Sequence, residues 1–379
     1  MSGRLPRWVC AAATAATLLA PAPATAAPEP GGRSVAELLT DLQRLYRETE
    51  EATEAYNATE EELREQRVAA ARLRGRLAQA RAALEDGRAE VGRLARRQYQ
   101  GDSGGISPYV RLLLARDPQH ALDQGHVVRR LARDRAAAVK RLAAGERRAE
   151  DLDRAVHAAL ERRAELTERR RKERDTVRAR LREVEETLAS LDSGRLAELA
   201  ELEEAGAAKA QERFLASGAL GEAARTPTRA GAEALEYAVG QIGKPYEWGA
   251  EGPGAYDCSG LTSRAWERAG VPIPRTSQEQ WDTLERVHLD ELRPGDLVVY
   301  FPGATHVALY LGDGRVVQAP RPGARVKVSP IAANPVLGAV RPDPGGEPLR
   351  RYTPPELPEG ATEGSDRGYA PAAPETSIR

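Results

Sequence analysis

The sequence predicts an α+β protein in two unequal parts, a long α-helical coiled-coil hairpin followed by a small domain of helices packed on an antiparallel β-sheet. Three observations predict it. Apolar residues recur with a 3.5-residue period from Val35 to Gln98, the repeat of a left-handed coiled-coil seam. A Gly- and Pro-containing break then separates this run from a second helical one. From about Arg229, aromatic residues, glycines, prolines and β-branched runs replace the Ala/Glu/Arg background, and helices followed by a series of strands make an α+β domain.

The first residues have the order of an export signal. Arg4 and Arg7 give a basic start, Trp8 to Ala20 is an apolar run too short to span a bilayer, and Ala24-Thr25-Ala26 is an A-x-A cleavage site. Residues 1–26 are therefore expected to be a cleaved secretory peptide, which makes the mature chain secreted. Cleavage removes Cys10 and leaves Cys258 as the only thiol, unable to form an intramolecular disulfide. Such a cysteine is an intermolecular bridge, an inert buried residue or a reactive nucleophile.

Residues 34–217 are expected to form the arm. The seam runs through Val35, Leu38, Leu42, Leu45, Leu63, Leu73, Leu77, Leu84, Val91 and Leu94, and a helix of that span reaches about 95 Å at ~1.5 Å per residue. Its charge-rich flanks are expected to be solvated faces. The tip lies at about 99–119, where Gly101 to Gly105 and Pro108 interrupt the pattern. A second, weaker seam follows to Leu191, so the pair is expected to fold back as an antiparallel hairpin, with a parallel homodimer as the rival arrangement and the oligomeric state open. A third helix, Arg195 to Ser217, returns toward the domain, and 218–228 is a linker. Basic and acidic residues number 56 and 57, which leaves no electrostatic case for a nucleic-acid partner.

The domain is expected over 229–342, with helices at Ala230–Ile242 and Cys258–Ala269 and strands at Leu297–Phe301, His306–Leu311, Arg315–Ala319, Arg325–Val328 and Leu337–Val340. The Pro-, Gly- and Glu-rich tail, 343–379, has no periodicity and is expected to be disordered.

Cys258 follows a turn-rich loop and opens an apolar-periodic helix. Unpaired N–H groups and the helix dipole at that position stabilise a thiolate and lower its pKa, and the same N–H groups suit an oxyanion. A nucleophilic cysteine needs a base. Of five histidines, His120, His126 and His157 belong to the arm and His288 to a polar connection, whereas His306 opens an alternating strand. There His306, Ala308 and Tyr310 share one face, which is expected to border a cleft. With Leu311 and Arg315 flanking a Gly312-Asp313-Gly314 turn, Gln318 falls opposite Ala308 and diagonal to His306, within reach of a long side chain. It is expected to orient the imidazole as the third member of a triad. A two-residue turn would put Gln318 on the wrong face.

Five blocks resemble the NlpC/P60 cysteine peptidases in matching order: Gly243 to Gly249, Asp257 to Leu261, Pro274 to Ser277 with Gln280, Leu292 to Leu297, and His306 to Gly312. The resemblance spans about 230–342 and implies a papain-like core with Cys258 as nucleophile, His306 as base and a polar third residue at Gln318. It places Tyr246 near the nucleophile as an oxyanion aid, with Asp257 and Ser259 as further substrate or oxyanion candidates. It also implies hydrolysis of the bond between D-γ-glutamate and diaminopimelate or lysine in peptidoglycan stem peptides. Residues Tyr99 to Leu131 resemble the bent coiled coils of division-associated wall hydrolases, which implies an ABC-transporter-like membrane complex as partner; a plain spacer or dimerisation rod fits equally. No cofactor is implied, and no HExxH or clustered His/Cys set suggests zinc. The alternatives are a non-catalytic scaffold that binds peptidoglycan or recruits hydrolases, and an amidase or acyltransferase on another amide.

Overall fold

The computed structural model describes residues 33–102, 110, 117–221 and 225–363. The expected export signal, most of the tip and the end of the tail lie outside these residues. Helix α1 is Val35–Asp102, α2 is Pro118–Ala189 and α3 is Ser193–Ala216. A capping box starts α1: the Ser34 Oγ accepts from the Glu37 N–H at 3.2 Å, and the Glu37 carboxylate accepts from the Ser34 N–H at 2.8 Å, which satisfies two otherwise orphan donors.

Helices α1 and α2 run antiparallel. Arg180 approaches Glu48 at 3.3 Å, Arg170 pairs with Glu60 at 2.8 Å and Asp153 with Arg81 at 2.7 Å, so partner numbers fall as α1 advances. The expected seam is the buried one, with Leu42, Leu63 and Leu77 meeting a row that includes Leu152, Val156, Leu166 and Val177. Leu199 of α3 packs on Leu42, Leu45, Tyr46 and Val184 and fastens the third helix to the base of the hairpin.

One stretch of α1 departs from the expectation of solvated flanks. Tyr46, Glu50, Thr53, Glu54 and Asn57 are buried, and their three-four spacing places them on a single helical face. That second face lies against the globular domain.

The domain contains α4 (Arg229–Val239), α5 (Cys258–Arg268) and α6 (Ser277–Thr283), with β1 (Glu285–Val287), β2 (Leu297–Tyr300), β3 (His306–Gly312), β4 (Arg315–Gln318), β5 (Lys327–Pro330) and β6 (Val336–Arg341). The strands form one sheet in the order β1-β6-β2-β3-β4-β5, antiparallel at every pairing. The meander β2 to β5 follows the sequence pattern. Strand β1 and helix α6 escaped it because three and seven residues are too few to display a period.

Leu297, Val299, Val307, Leu309 and Val317 pack with Leu235, Ala238, Leu261, Ala265 and Trp266 of α4 and α5. The opposite face was expected to open on a cleft, but it is covered. Val298, Ala308, Tyr310 and Val316 lie with Ile331 under Phe214 and Leu220 from the end of the arm. Gln211 of α3 donates to the Gly314 carbonyl at 2.9 Å and accepts from the Ala332 N–H at 3.1 Å. The arm thus holds the domain from both sides, α3 on the back of the sheet and α1 on the side of Cys258.

The tail also differs from expectation over 343–363. Asp343 receives the Arg293 guanidinium at 2.6 Å, the Leu349 N–H donates to the Pro227 carbonyl at 2.8 Å and the Val328 N–H to that of Ala361 at 2.8 Å. Prolines and glycines there yield no period, yet an extended strand needs none when its backbone finds partners. Replacing Leu199 by Ala removes a fully buried anchor and is expected to cost about 2–5 kcal/mol; a fall of several degrees in the melting of helical circular dichroism checks it.

Candidate active site

Cys258 is the first residue of α5, and Asp257 is that helix's N-cap. The Asp257 carboxylate accepts from the Gly260 N–H at 2.6 Å and the Gly249 N–H at 2.9 Å, tying the preceding loop to the helix start. Gly260 is required there, since a Cβ would stand 2.2 Å from the Ala250 carbonyl oxygen. Arg275 closes the arrangement, donating to Asp257 at 2.7 and 3.1 Å, to the Ser259 Oγ at 2.8 Å and to Glu251 at 2.9 Å. Asp257 is fully buried. The structure makes it a cap and anchor behind the nucleophile rather than a group facing an open cleft.

Gln318 reaches His306 by a route that differs from the expected one. Leu309 pairs with Val317 and Tyr310 with Val316, but Gly312 rather than Leu311 pairs with Arg315. The turn is the two-residue Asp313-Gly314, both at positive φ, as a tight hairpin prefers. A bulge at Leu311 takes up the odd residue and restores the register that sets Gln318 against Ala308. The Gln318 Oε1 lies 2.7 Å from the His306 Nε2. An amide oxygen only accepts, so Nε2 carries the hydrogen and Nδ1 faces the other way. The backbone N–H of Val307, next along the strand, faces the Cys258 sulfur and lowers its pKa, so Cys258, His306 and Gln318 lie together. Tyr246 is buried, and its phenol is held well above its ordinary pKa by burial and then by the adjacent Cys258, so it stays neutral beside the sulfur.

The residues that sequence reasoning missed come from α1. The Glu54 Oε1 accepts from the Ser259 hydroxyl at 2.7 Å and lies 3.7 Å from the Cys258 Sγ, while its Oε2 accepts from the Ser277 N–H at 3.0 Å. One turn earlier, the Glu50 Oε1 stands 3.2 Å from the His306 Nδ1. One turn later, Asn57 donates to Asp257 at 3.1 Å and Tyr56 meets Trp248 edge-on, with ring centroids 5.0 Å apart. Cys258 is left 2% exposed and His306 0%. The available signal was Tyr46 and Tyr56 bracketing Glu50 and Glu54 in a shaft otherwise poor in aromatic residues; the carboxylates themselves are indistinguishable from the shaft's many others.

This cover inverts the expected electrostatics. Burial pushes the Cys258 thiol well up, and Glu54, Asp257 and Glu50 push it further, against the Val307 N–H. The helix N-terminus is in place, but desolvation and three carboxylates outweigh it. Glu54 is itself pushed up to about 7, first by burial and then by Asp257. For His306, burial pulls the imidazole down, but the charge of Glu50 above all, with the Gln318 hydrogen bond and the charge of Glu54, raises it and the net direction is upward.

With this geometry in view, residues 243–338 match the profile of the NlpC/P60 family. The globular domain is an NlpC/P60 domain. A probable endopeptidase of Corynebacterium glutamicum is 46% identical over 99 residues, 26% of this chain and 47% of that protein. The peptidoglycan endopeptidase RipA of Mycolicibacterium smegmatis is 37% identical over 119 residues, 27% of this chain and 24% of that one. Among solved structures, RipD of Mycobacterium tuberculosis, described as a non-catalytic NlpC/p60 domain protein adapted to peptidoglycan binding, is 30% identical with a TM-score of 0.27, covering 30% of this chain and 98% of that one. The matches to the two endopeptidases thus span under half of their lengths.

The NlpC/P60 site makes a titration prediction. A histidine whose pKa is raised by a partner gives the closed arrangement a stabilisation that is lost as pH rises through the raised value. The His306 imidazole is therefore expected to titrate above its usual 6.5 in the intact chain. Glu50→Gln, which leaves burial but removes the charge, is expected to lower it below 6.5; imidazole chemical shifts followed against pH check both.

Proposed function

We propose that this chain is an exported thiol endopeptidase that hydrolyses the D-γ-glutamyl bond to the diamino acid in peptidoglycan stem peptides. The observation that carries the reading is the grouping of Cys258, His306 and Gln318 beside a seat for a carboxylate. Ser259 O–H and Ser277 N–H hold that carboxylate, with Arg275 nearby. A peptide bond made through the γ-carboxyl of glutamate carries a free α-carboxylate three carbons from the scissile carbonyl, a charge that the bond after a non-acidic residue lacks. A nucleophile beside a carboxylate seat suits a glutamyl bond, and the γ-linked one is the glutamyl bond of the stem peptide. Export fits the basic and apolar start of the sequence.

With α1 withdrawn, the His306 Nδ1 takes the proton of Cys258 and the thiolate attacks the glutamyl γ-carbonyl. The oxyanion falls to the N–H groups at the start of α5, with the neutral Tyr246 phenol alongside. Collapse of the intermediate breaks the C–N bond, and His306 returns its proton to the leaving amine. Water then adds to the thioester, giving the glutamyl carboxylate and regenerating the thiol. A domain that only bound peptidoglycan would have no use for a cysteine, a histidine and an orienting amide in this order.

The test is digestion of purified wall peptides by the full chain and by its Glu54→Ala form, with products identified by mass spectrometry. Cleavage on the carboxyl side of D-glutamate is expected, and Cys258→Ala is expected to lower it about a thousandfold or more. No cleavage by the Glu54→Ala chain, while its Cys258 is fully alkylated by iodoacetamide, would establish an open site without peptidase activity and favour the binding-scaffold reading.

A further inference from the structure

The end of the arm farthest from the site has a composition of its own. Residues 91–140 hold ten Lys and Arg against four Asp and no Glu, whereas the rest of the chain carries 46 basic and 53 acidic residues. A chain that is nearly neutral as a whole is therefore strongly basic at this one end. The ion pairs that lace the two long helices, such as Arg162 with Glu62 and Arg81 with Asp153, are last seen, among the described residues, at Arg141 and Glu90. Beyond that rung the apolar seam also opens. Of the ten large hydrophobics that stand exposed among the described residues, six lie here: Tyr99, Val110, Leu122, Val127, Leu131 and Val139. Each such side chain left in water forgoes about 1.5–3 kcal/mol of burial, and like charges crowded at one end repel. Both costs fall on a surface that is anionic outside and apolar within.

The placing of the apolar residues says which surface. Leu122 and Leu131 are nine residues apart in α2, about two and a half turns, so they stand on opposite sides of the helix. A groove or a partner helix reads a single face. A lipid phase surrounds the end of a rod and takes apolar side chains from every side. A purely anionic polymer would engage the arginines and have no use for the leucines. We propose that the distal end of the arm, where α1 closes and α2 opens, docks on an anionic phospholipid bilayer, with Arg129 and Arg130 at the headgroups and Leu122 and Val127 at the acyl boundary. The insertion is shallow, because no helix among the described residues is long and apolar enough to cross a membrane. Glu54, beside the nucleophile, lies 48 residues before the end of α1 at Asp102. An arm standing on the bilayer thus holds the catalytic domain about 70 Å from it, at a set height. The membrane as the place of action rests on the proposed export; the binding itself rests on the charge and apolar exposure of the arm.

The experiment is flotation of the chain beginning at Ala27, which lacks the apolar export signal and keeps every described residue. It is mixed with vesicles of phosphatidylglycerol in phosphatidylcholine, or with vesicles of phosphatidylcholine alone. The double variant Arg129→Glu/Arg130→Glu tests the charge, and Leu122→Gln/Val127→Gln tests the apolar part. Arg72→Glu/Arg74→Glu and Val68→Gln make the same kinds of change at exposed positions on the shaft, and circular dichroism checks the helical content of each chain. Wild type is expected to float with the mixed vesicles and to be released by salt. Both distal variants are expected to bind about tenfold or more weaker, and both shaft variants to match wild type. No binding to either kind of vesicle, or equal binding to both, would overturn the proposal, as would shaft variants that lose as much as the distal ones. Loss with the arginines alone would assign the end of the arm to an anionic polymer. Capture by native membranes but not by protein-free vesicles would assign it to a membrane protein; either result overturns the bilayer. Wall-peptide cleavage does not enter the readout. A chain that floats without cutting sinks only the peptidase reading, and one that cuts without floating sinks only this inference.

Discussion

The structure turns on one carboxylate in a place where a charge is expensive. Glu54 is fully buried, its pKa is raised by burial and by the neighbouring Asp257, and it lies against the sulfur that the sequence marks as a nucleophile. A surface glutamate on a long helix would gain full hydration by staying in water. Its position inside the domain is tolerable because Ser259 and Ser277 present donors to both of its oxygens. Contacts internal to the domain also shape that seat: Asp257 caps Gly260 at the start of α5 and receives Arg275, two residues before α6.

The arm's attachment has two halves of different character. On the back of the sheet, Phe214 and Leu220 pack on Tyr310, Val316 and their neighbours and Gln211 ties two loops, while Glu203 of α3 pairs with Arg321 at 3.7 Å. On the front, α1 meets the cleft through Glu50, Glu54 and Asn57, contacts that depend on charge and protonation. Burial and paired charge nearly cancel in such an interface, so it can part without disturbing the core.

The fold was legible where periodicity was long. The seam from Leu42 to Leu84, the α5 helix behind Cys258 and the strand from His306 all lie where apolar spacing put them, and the five blocks shared with NlpC/P60 peptidases marked the domain. Gln318 was legible for a partly mistaken reason: the turn holds two residues, and the bulge at Leu311 restores the face that a two-residue turn alone would have reversed. The thiol's electrostatics were not legible, because a helix N-terminus is visible in sequence and the carboxylates from some two hundred residues earlier are not. Glu50 and Glu54 look like solvated coiled-coil flanks, and only tertiary contact distinguishes them from the exposed Glu51. The tail over 343–363 was misread because extended segments that pair by backbone alone leave no side-chain period.

The most direct measurement is the rate at which iodoacetamide alkylates Cys258 in the intact wild-type chain, set against N-acetylcysteine at the same pH. A thiol that is desolvated, pushed up in pKa and covered by α1 should react at least about a hundredfold more slowly than the free thiol. A rate equal to or above that of N-acetylcysteine would mean an open, thiolate-forming cysteine in the resting chain, and would contradict the account of α1 as the occupant of the cleft.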